Sequence, residues 1–162
     1  KHNHLRELIL ENGGLPKNVL AEVVQASLPA LERLEIYLGT NYYGWDGTID
    51  DVKPLLSGSN FPKLKYLGLR DSDIADEVAK AVAESPLVER LESLDLSLGT
   101  MGDEGGEALL ASPAIKRLKW LDLHHHYMSP EVSQRFQKFG PEVDVSDVKE
   151  GDGEDRYVSV GE

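Results

Sequence analysis

The sequence predicts a curved α/β solenoid, with a parallel β-sheet along its concave side and helices along its convex side. Three observations carry this expectation. The pattern LxxLxL (with Ile once at the last position) occurs five times, starting at Leu5, Leu31, Leu64, Leu91 and Leu118. Each occurrence is followed by apolar residues at helical spacing. Ser85-Pro86 and Ser112-Pro113 fall at the same place in successive units, where proline ends a helix and returns the chain to the next strand. A strand and a helix recurring at a near-constant interval mark a stacked repeat, because no single unit can bury its apolar side alone.

In chain order, the first unit has Leu5, Leu8 and Leu10 as its strand and Leu15, Val19 and Val23 as its helix stripe. This strand begins so close to Lys1 that more protein is expected before it. The second unit opens on Leu31, Leu34 and Ile36 and carries an insertion of six residues, since Leu38 to Leu55 is 17 residues where Leu98 to Leu109 is 11. The inserted stretch lies within Gly39 to Thr48 and holds Tyr42, Tyr43 and Trp45 between glycines. Insertions in a solenoid go to the loops on one rim. Two readings of this one stand: an aromatic recognition loop presenting Tyr43 and Trp45, or a connection that folds Trp45 back onto the adjacent helix.

The third unit has Leu64, Leu67 and Leu69, then Ile74, Val78, Ala81 and Val82 as a helix with Asp76 placed to cap it. The fourth repeats this with Leu91, Leu94 and Leu96, then Met101, Gly105, Ala108 and Leu109, with Asp103 as the cap. The fifth has Leu118, Leu121 and Leu123, then Met128, Val132, Arg135 and Phe136, with Ser129 as cap and Pro130 in the first turn. Val143-Asp144-Val145 predicts a short closing strand. The expected organisation is therefore a solenoid of about five repeats over residues 1–145 and an acidic tail over 146–162. From Pro141 onward there are eight acids against two bases, a composition typical of a solvated end. Tyr157, Val158 and Val160 would instead allow that end to pair as an edge strand.

These units resemble leucine-rich repeats of the ribonuclease-inhibitor-like class, including bacterial proteins built from them. The likeness rests on five LxxLxL matches in register between Leu5 and Val145. It implies the α/β horseshoe and a protein-binding role. The position commonly occupied by Asn or Cys after the strand is here Gly13, Gly39, Ser72, Gly99 and His126, so the usual buried side-chain ladder is missing. A ribonuclease inhibitor itself is excluded by the absence of cysteine.

Composition narrows the function further. With 29 acidic and 17 basic residues the net charge is -12, which repels nucleic acid and anionic membrane surfaces. Without cysteine there are no disulfides, thiolate nucleophiles or Cys-type zinc sites, in keeping with a reducing, cytoplasmic setting. No run approaches the length of a membrane span. Phosphate-binding glycine loops, the GxSxG elbow and HExxH are all missing, so no enzyme and no cofactor are expected.

Period-2 alternation buries the leucines and turns the residues between them to the concave side. The first row is Glu7, Arg33, Tyr66, Ser93 and Trp120; the second is Ile9, Glu35, Gly68, Asp95 and Asp122; the third is Glu11, Tyr37, Arg70, Ser97 and His124. Rings such as Tyr37, Tyr66 and Trp120 on an open sheet face point to partner binding, because aromatics dominate interface energetics. The expected partner-binding set is Tyr37, Tyr66, Arg70, Trp120, Asp122 and His124, with Tyr43 and Trp45 from the rim loop. The partner is expected to be a protein with a basic or mixed face, met by a monomer or by one part of a larger assembly. The alternative is a metal-binding or hydrolytic protein using Asp95, Asp122 and His124, where carboxylate and imidazole at i, i+2 and a neighbouring strand would form an open site. Set against it, His124-His125-His126 reads as a polar strand-end turn with His126 in the Asn position.

Overall fold

The computed structural model of the chain describes residues 2–160; Lys1 and the last two positions of the expected tail lie outside the described residues. Six strands form one sheet in sequence order, every neighbouring pair parallel. They are β1 (Glu7–Leu10), β2 (Arg33–Gly39), β3 (Tyr66–Ser72), β4 (Ser93–Asp95), β5 (Trp120–Asp122) and β6 (Glu142–Asp144). Between them run α1 (Lys17–Gln25), α2 (Ile49–Val52), α3 (Ala75–Ala83), α4 (Asp103–Ala111) and α5 (Pro130–Arg135).

The register explains why the leucines recur. Leu8 pairs with Leu34, Leu34 with Leu67, Leu67 with Leu94, Leu94 with Leu121 and Leu121 with Val143, so one ladder of side chains runs under the whole sheet. Leu34, Leu67, Leu94 and Leu121 are all fully buried. Helix residues Leu20, Val78, Val82, Leu109 and Phe136 close the core from the other side. Ser85-Pro86 begins two residues beyond the end of α3 and Ser112-Pro113 one residue beyond the end of α4, and Ser112 Oγ also donates to the Ala83 carbonyl of the preceding unit at 2.9 Å.

The helix caps differ from the expected ones. Ser129 does cap α5, accepting from Val132 N–H at 3.3 Å with Pro130 in the first turn. Asp76 and Asp103, however, make no cap on their own helices. Each reaches into the next unit instead. Asp76 Oδ1 accepts from Gly102 and Gly105 N–H at 2.9 and 2.8 Å, and Asp103 Oδ1 accepts from Ser129 N–H at 2.6 Å. A carboxylate at a neighbour's helix start satisfies its free N–H groups and faces the positive end of its dipole, so the caps couple units.

The inserted loop is pinned to the first unit. Gly39 has φ 76° and a Cβ there would sit 1.9 Å from the Gly13 carbonyl oxygen, so only glycine fits. Trp45, 3% exposed, joins the core, and the rim therefore presents Tyr42 and Tyr43 without it. Of the two readings of this loop, the one that folds Trp45 inward describes the structure.

The C-terminal end departs from both expectations: its apolar cluster is neither free in solvent nor paired along the sheet edge. Asp71 near the end of β3, Leu98 beyond β4 and His125 beyond β5 occupy equivalent positions with φ of 56°, 69° and 59°. Each donates its N–H across to the next unit, to Ser97 O, His124 O and Ser146 O. The last described residues lie across these three. His125 Nε2 meets Tyr157 O at 3.2 Å, Ser159 N–H donates to Leu98 O at 2.8 Å, and Val160 N–H donates to Asp71 Oδ1 at 2.7 Å. Val158 is buried beneath the crossing. The Tyr127 hydroxyl accepts from Tyr157 N–H and donates to Tyr157 O.

Two outcomes follow. Leu94→Ala should lower unfolding free energy by about 2–5 kcal/mol, as expected for a core leucine with no room to collapse, read from urea melts; a loss under about 1 kcal/mol would mean the ladder is not the core. Burial pushes the Asp71 carboxyl up to about 7 despite the N–H groups of Val160 and Ser159, and among the described residues its Oδ2 accepts no hydrogen bond. A folded-state value above the ordinary one means that stability is fully present below about pH 4 and falls as pH rises through about 7. Asp71→Asn should flatten the fall in urea midpoint between pH 5 and 8, leaving only the part due to other raised carboxyls such as Asp73 and Asp122. Parallel pH profiles for the two proteins would refute the assignment.

Candidate binding surface on the concave face

Register turns the three rows into geometry. In the first, Arg33, Tyr66, Ser93, Trp120 and Glu142 are successive neighbours. Ser93 is small enough for the flanking rings to meet over it: Tyr66 and Trp120 stack at 6.4 Å between centroids and 22° between planes. Arg33 Cζ lies 3.7 Å from the Tyr66 centroid on this row. All three side chains are half-buried. Cation, phenol and indole thus form one line of surface, held in place by their own contacts.

The second row supplies the charge that anchors it. Glu35, 4% exposed, accepts from Arg33 and from Arg70 Nη1 at 2.8 Å. Burial pushes its carboxyl up, but the two guanidiniums outweigh that and hold it below the usual carboxylate range. Tyr66 donates to Asp95 Oδ2 at 2.9 Å and approaches Glu35 at 3.3 Å. Its hydroxyl is pushed well above the usual phenol range by burial and by Asp95. The ring can lie this way because position 68 is glycine: a Cβ there would come within 3.1 Å of Glu35 Cγ and 3.3 Å of the Tyr66 ring.

Asp95, Asp122 and Asp144 are register neighbours and repeat one local bond. Each accepts from the N–H two residues on: Ser97 at 3.0 Å, His124 at 2.9 Å and Ser146 at 2.9 Å. Such side-chain-to-backbone bonds close the strand ends. Asp95 also takes the Ser97 hydroxyl at 2.6 Å and Arg70 Nε at 3.2 Å. That leaves it no free valence toward a ligand shared with His124. Ser97 is fully buried and is no nucleophile for a substrate. The grouping expected for a metal, Asp95 with Asp122 and His124, is not what assembles. Among the described residues, the ligand atoms close enough to share an ion are those of Asp122, His124 and Asp144. There His124 Nδ1 is already bonded to Asp122 Oδ1 at 2.7 Å. His126 fills the strand-end position as the structural reading expects: buried, with Nε2 on Val145 O and Nδ1 accepting from Met128 N–H. Burial lowers its pKa and keeps it neutral.

Of the residues expected to meet a partner, Tyr66, Arg70, Trp120 and His124 are half-buried on the concave face and Tyr43 is exposed on the rim. Tyr37 and Asp122 are buried, at 6% and 7% exposure, and Trp45 lies in the core. Tyr37 is covered by the Arg70 guanidinium, 5.0 Å above its ring. Arg33 and Glu35, placed on the concave rows but outside the expected partner-binding set, brace Tyr66: Arg33 is its register neighbour on β2, and Glu35 is the register neighbour of Gly68.

Residues 91–110 match the family model described as leucine-rich repeat. The chain folds as a leucine-rich-repeat solenoid. A crystal structure of a Bacteroides fragilis protein superposes on it with a TM-score of 0.85 and 38% sequence identity, covering 91% of this chain and 42% of that one. The solenoid thus spans less than half the length of that protein. No curated protein matches the chain. Among the described residues no helix is long and apolar enough to cross a membrane.

The glycine gap under Tyr66 is testable. Glu35 is gripped from two sides, so in Gly68→Ala it is the Tyr66 ring that must lift. Expected are a changed near-UV circular dichroism signal from the Tyr66–Trp120 pair and a loss of about 1–3 kcal/mol, the range for an inserted methyl. An unaltered aromatic spectrum would show that the ring does not depend on the gap.

Proposed function

We propose that this solenoid is a non-catalytic protein-interaction module that receives its partner on the concave face. The observation that carries the reading is the half-exposed stack of Tyr66 on Trp120, braced by Arg33 on a rigid parallel sheet. Rings fixed in place before binding lose little freedom on association, and tyrosine, tryptophan and arginine are the residues that dominate interface energetics. Beside them, the carboxylates of Asp122 and Asp144 have only His124 between them, while Glu142 and Glu7 border the same face. A partner presenting basic groups among apolar ones fits this surface. The net charge of -12 supports the exclusion of nucleic acid.

Repeats near 27 residues, each returning through a helix, support the ribonuclease-inhibitor-like class. The lack of cysteine supports a cytoplasmic setting.

The test is capture from a lysate of the source cell on immobilised wild-type protein and on Tyr66→Ala and Trp120→Ala variants with unchanged melting temperature. The partner eluted from the wild type should bind each variant roughly thirtyfold more weakly, the effect of losing about 2 kcal/mol at an interface centre. A partner that binds the variants as tightly as the wild type removes the concave face from the interface.

A further inference from the structure

Two parts of the chain break the repeat, and they meet at one place. The inserted loop after β2 and the C-terminal segment border a cleft of about 610 Å³ on the rim, away from the concave rows. That volume lies in the range of small-ligand sites, about 300–1,000 Å³. Three exposed tyrosines line it: Tyr42, Tyr43 and Tyr157 are 90%, 53% and 58% exposed, the Tyr157 ring also meeting His125 and Tyr127 edge-on. Trp45 of the same loop is buried, so the fold takes its own apolar anchor and leaves the phenols out.

The lining is short of positive charge. Asp73 belongs to it, and its Oδ1 is buried without a hydrogen-bond partner among the described residues. An unpaired buried carboxylate oxygen is costly, and a donor cation offsets that cost. Burial raises the Asp73 carboxyl against the influence of the Asn41 and Asp73 N–H groups. Glu154 also lines the cleft and makes no ion pair among the described residues. Among the described residues Arg156 is the one cation on the lining, and it is occupied: with Asp76 at 3.6 Å, with Thr100 O at 3.3 Å, with Gly151 O at 3.4 Å and over the Tyr127 ring at 5.5 Å. The cleft therefore offers aromatic faces and unneutralised carboxylates, the combination that holds an alkylammonium or guanidinium group.

We propose that this rim cleft is a binding site for a cationic group, which the rings of Tyr42, Tyr43 and Tyr157 flank and the Asp73 carboxylate neutralises. It is separate from the concave face, and neither reading depends on the other.

The probes are choline, its uncharged carbon isostere dimethylbutanol, and N-acetyl-arginine amide, each titrated into isotopically labelled protein and followed by amide chemical shifts. At least one cationic probe should give saturable shifts confined to the loop around Tyr42 and Tyr43, to Asp73 and to Tyr157. Dimethylbutanol should give none. Preference for choline assigns a free ammonium ligand; preference for arginine amide assigns a peptide side chain. Asp73→Asn should weaken the preferred probe at least tenfold. Tyr42→Ala, which alters a side chain in open solvent and leaves the fold intact, should weaken it about threefold or more. Trp120→Ala should leave it unchanged. Equal response to the isostere, shifts centred on His124 instead, an affinity indifferent to both cleft variants, or no saturation by either cation would each overturn the proposal.

Discussion

The structure depends on parallel pairing in a single register. Because Leu34 faces Leu67 and Leu67 faces Leu94, each unit buries its strand leucine against an identical neighbour. A slip of one residue in any pair would reverse every side chain beyond it, sending leucines to solvent and carboxylates to the core. The concave rows exist only because this does not happen. Arg33, Tyr66, Ser93 and Trp120 come from four strands separated in sequence, yet they form one line.

Along that face, charge is arranged to order the rings. Glu35 and Asp95 are nearly fully buried and share Arg70, which is itself only 17% exposed at its side chain. Buried ion pairs of this kind are weak evidence for stability, since desolvation offsets much of their attraction. Their effect here is positional: between them they leave the Tyr66 hydroxyl one direction to point and so fix the ring on Trp120. The strand-end aspartates act similarly, each closing its strand on the N–H two residues on.

The leucine ladder, the helix stripes, the closing strand and the three concave rows are legible in the sequence because each is one position compared with itself a unit later. What escapes such a comparison is contact between different positions of neighbouring units. Asp76 and Asp103 look like caps for their own helices, and only the stacking shows that they serve the next ones. Asp95 and His124 look like ligands in common, but Asp95 is bound up by Tyr66 and Arg70, which the strand order brings to it, and by Ser97 two residues on. Trp45 reads as a rim residue because its loop is an insertion; its burial follows from the glycines that pin that loop against the first unit. The acidic composition of the C-terminal segment masks the few apolar and backbone groups that dock it.

Stacked repeats ordinarily feel only their immediate neighbours, so a terminal unit can fray while the rest stays folded. In this chain the crossing of Tyr157 to Val160 over His125, Leu98 and Asp71 ties three successive units to one short segment. None of those units can peel away without releasing the others. The half of the array next to β6 should therefore open in hydrogen exchange as one cooperative block, whereas the half next to β1, with Leu5, Leu8 and Leu10 only partly covered, melts by degrees.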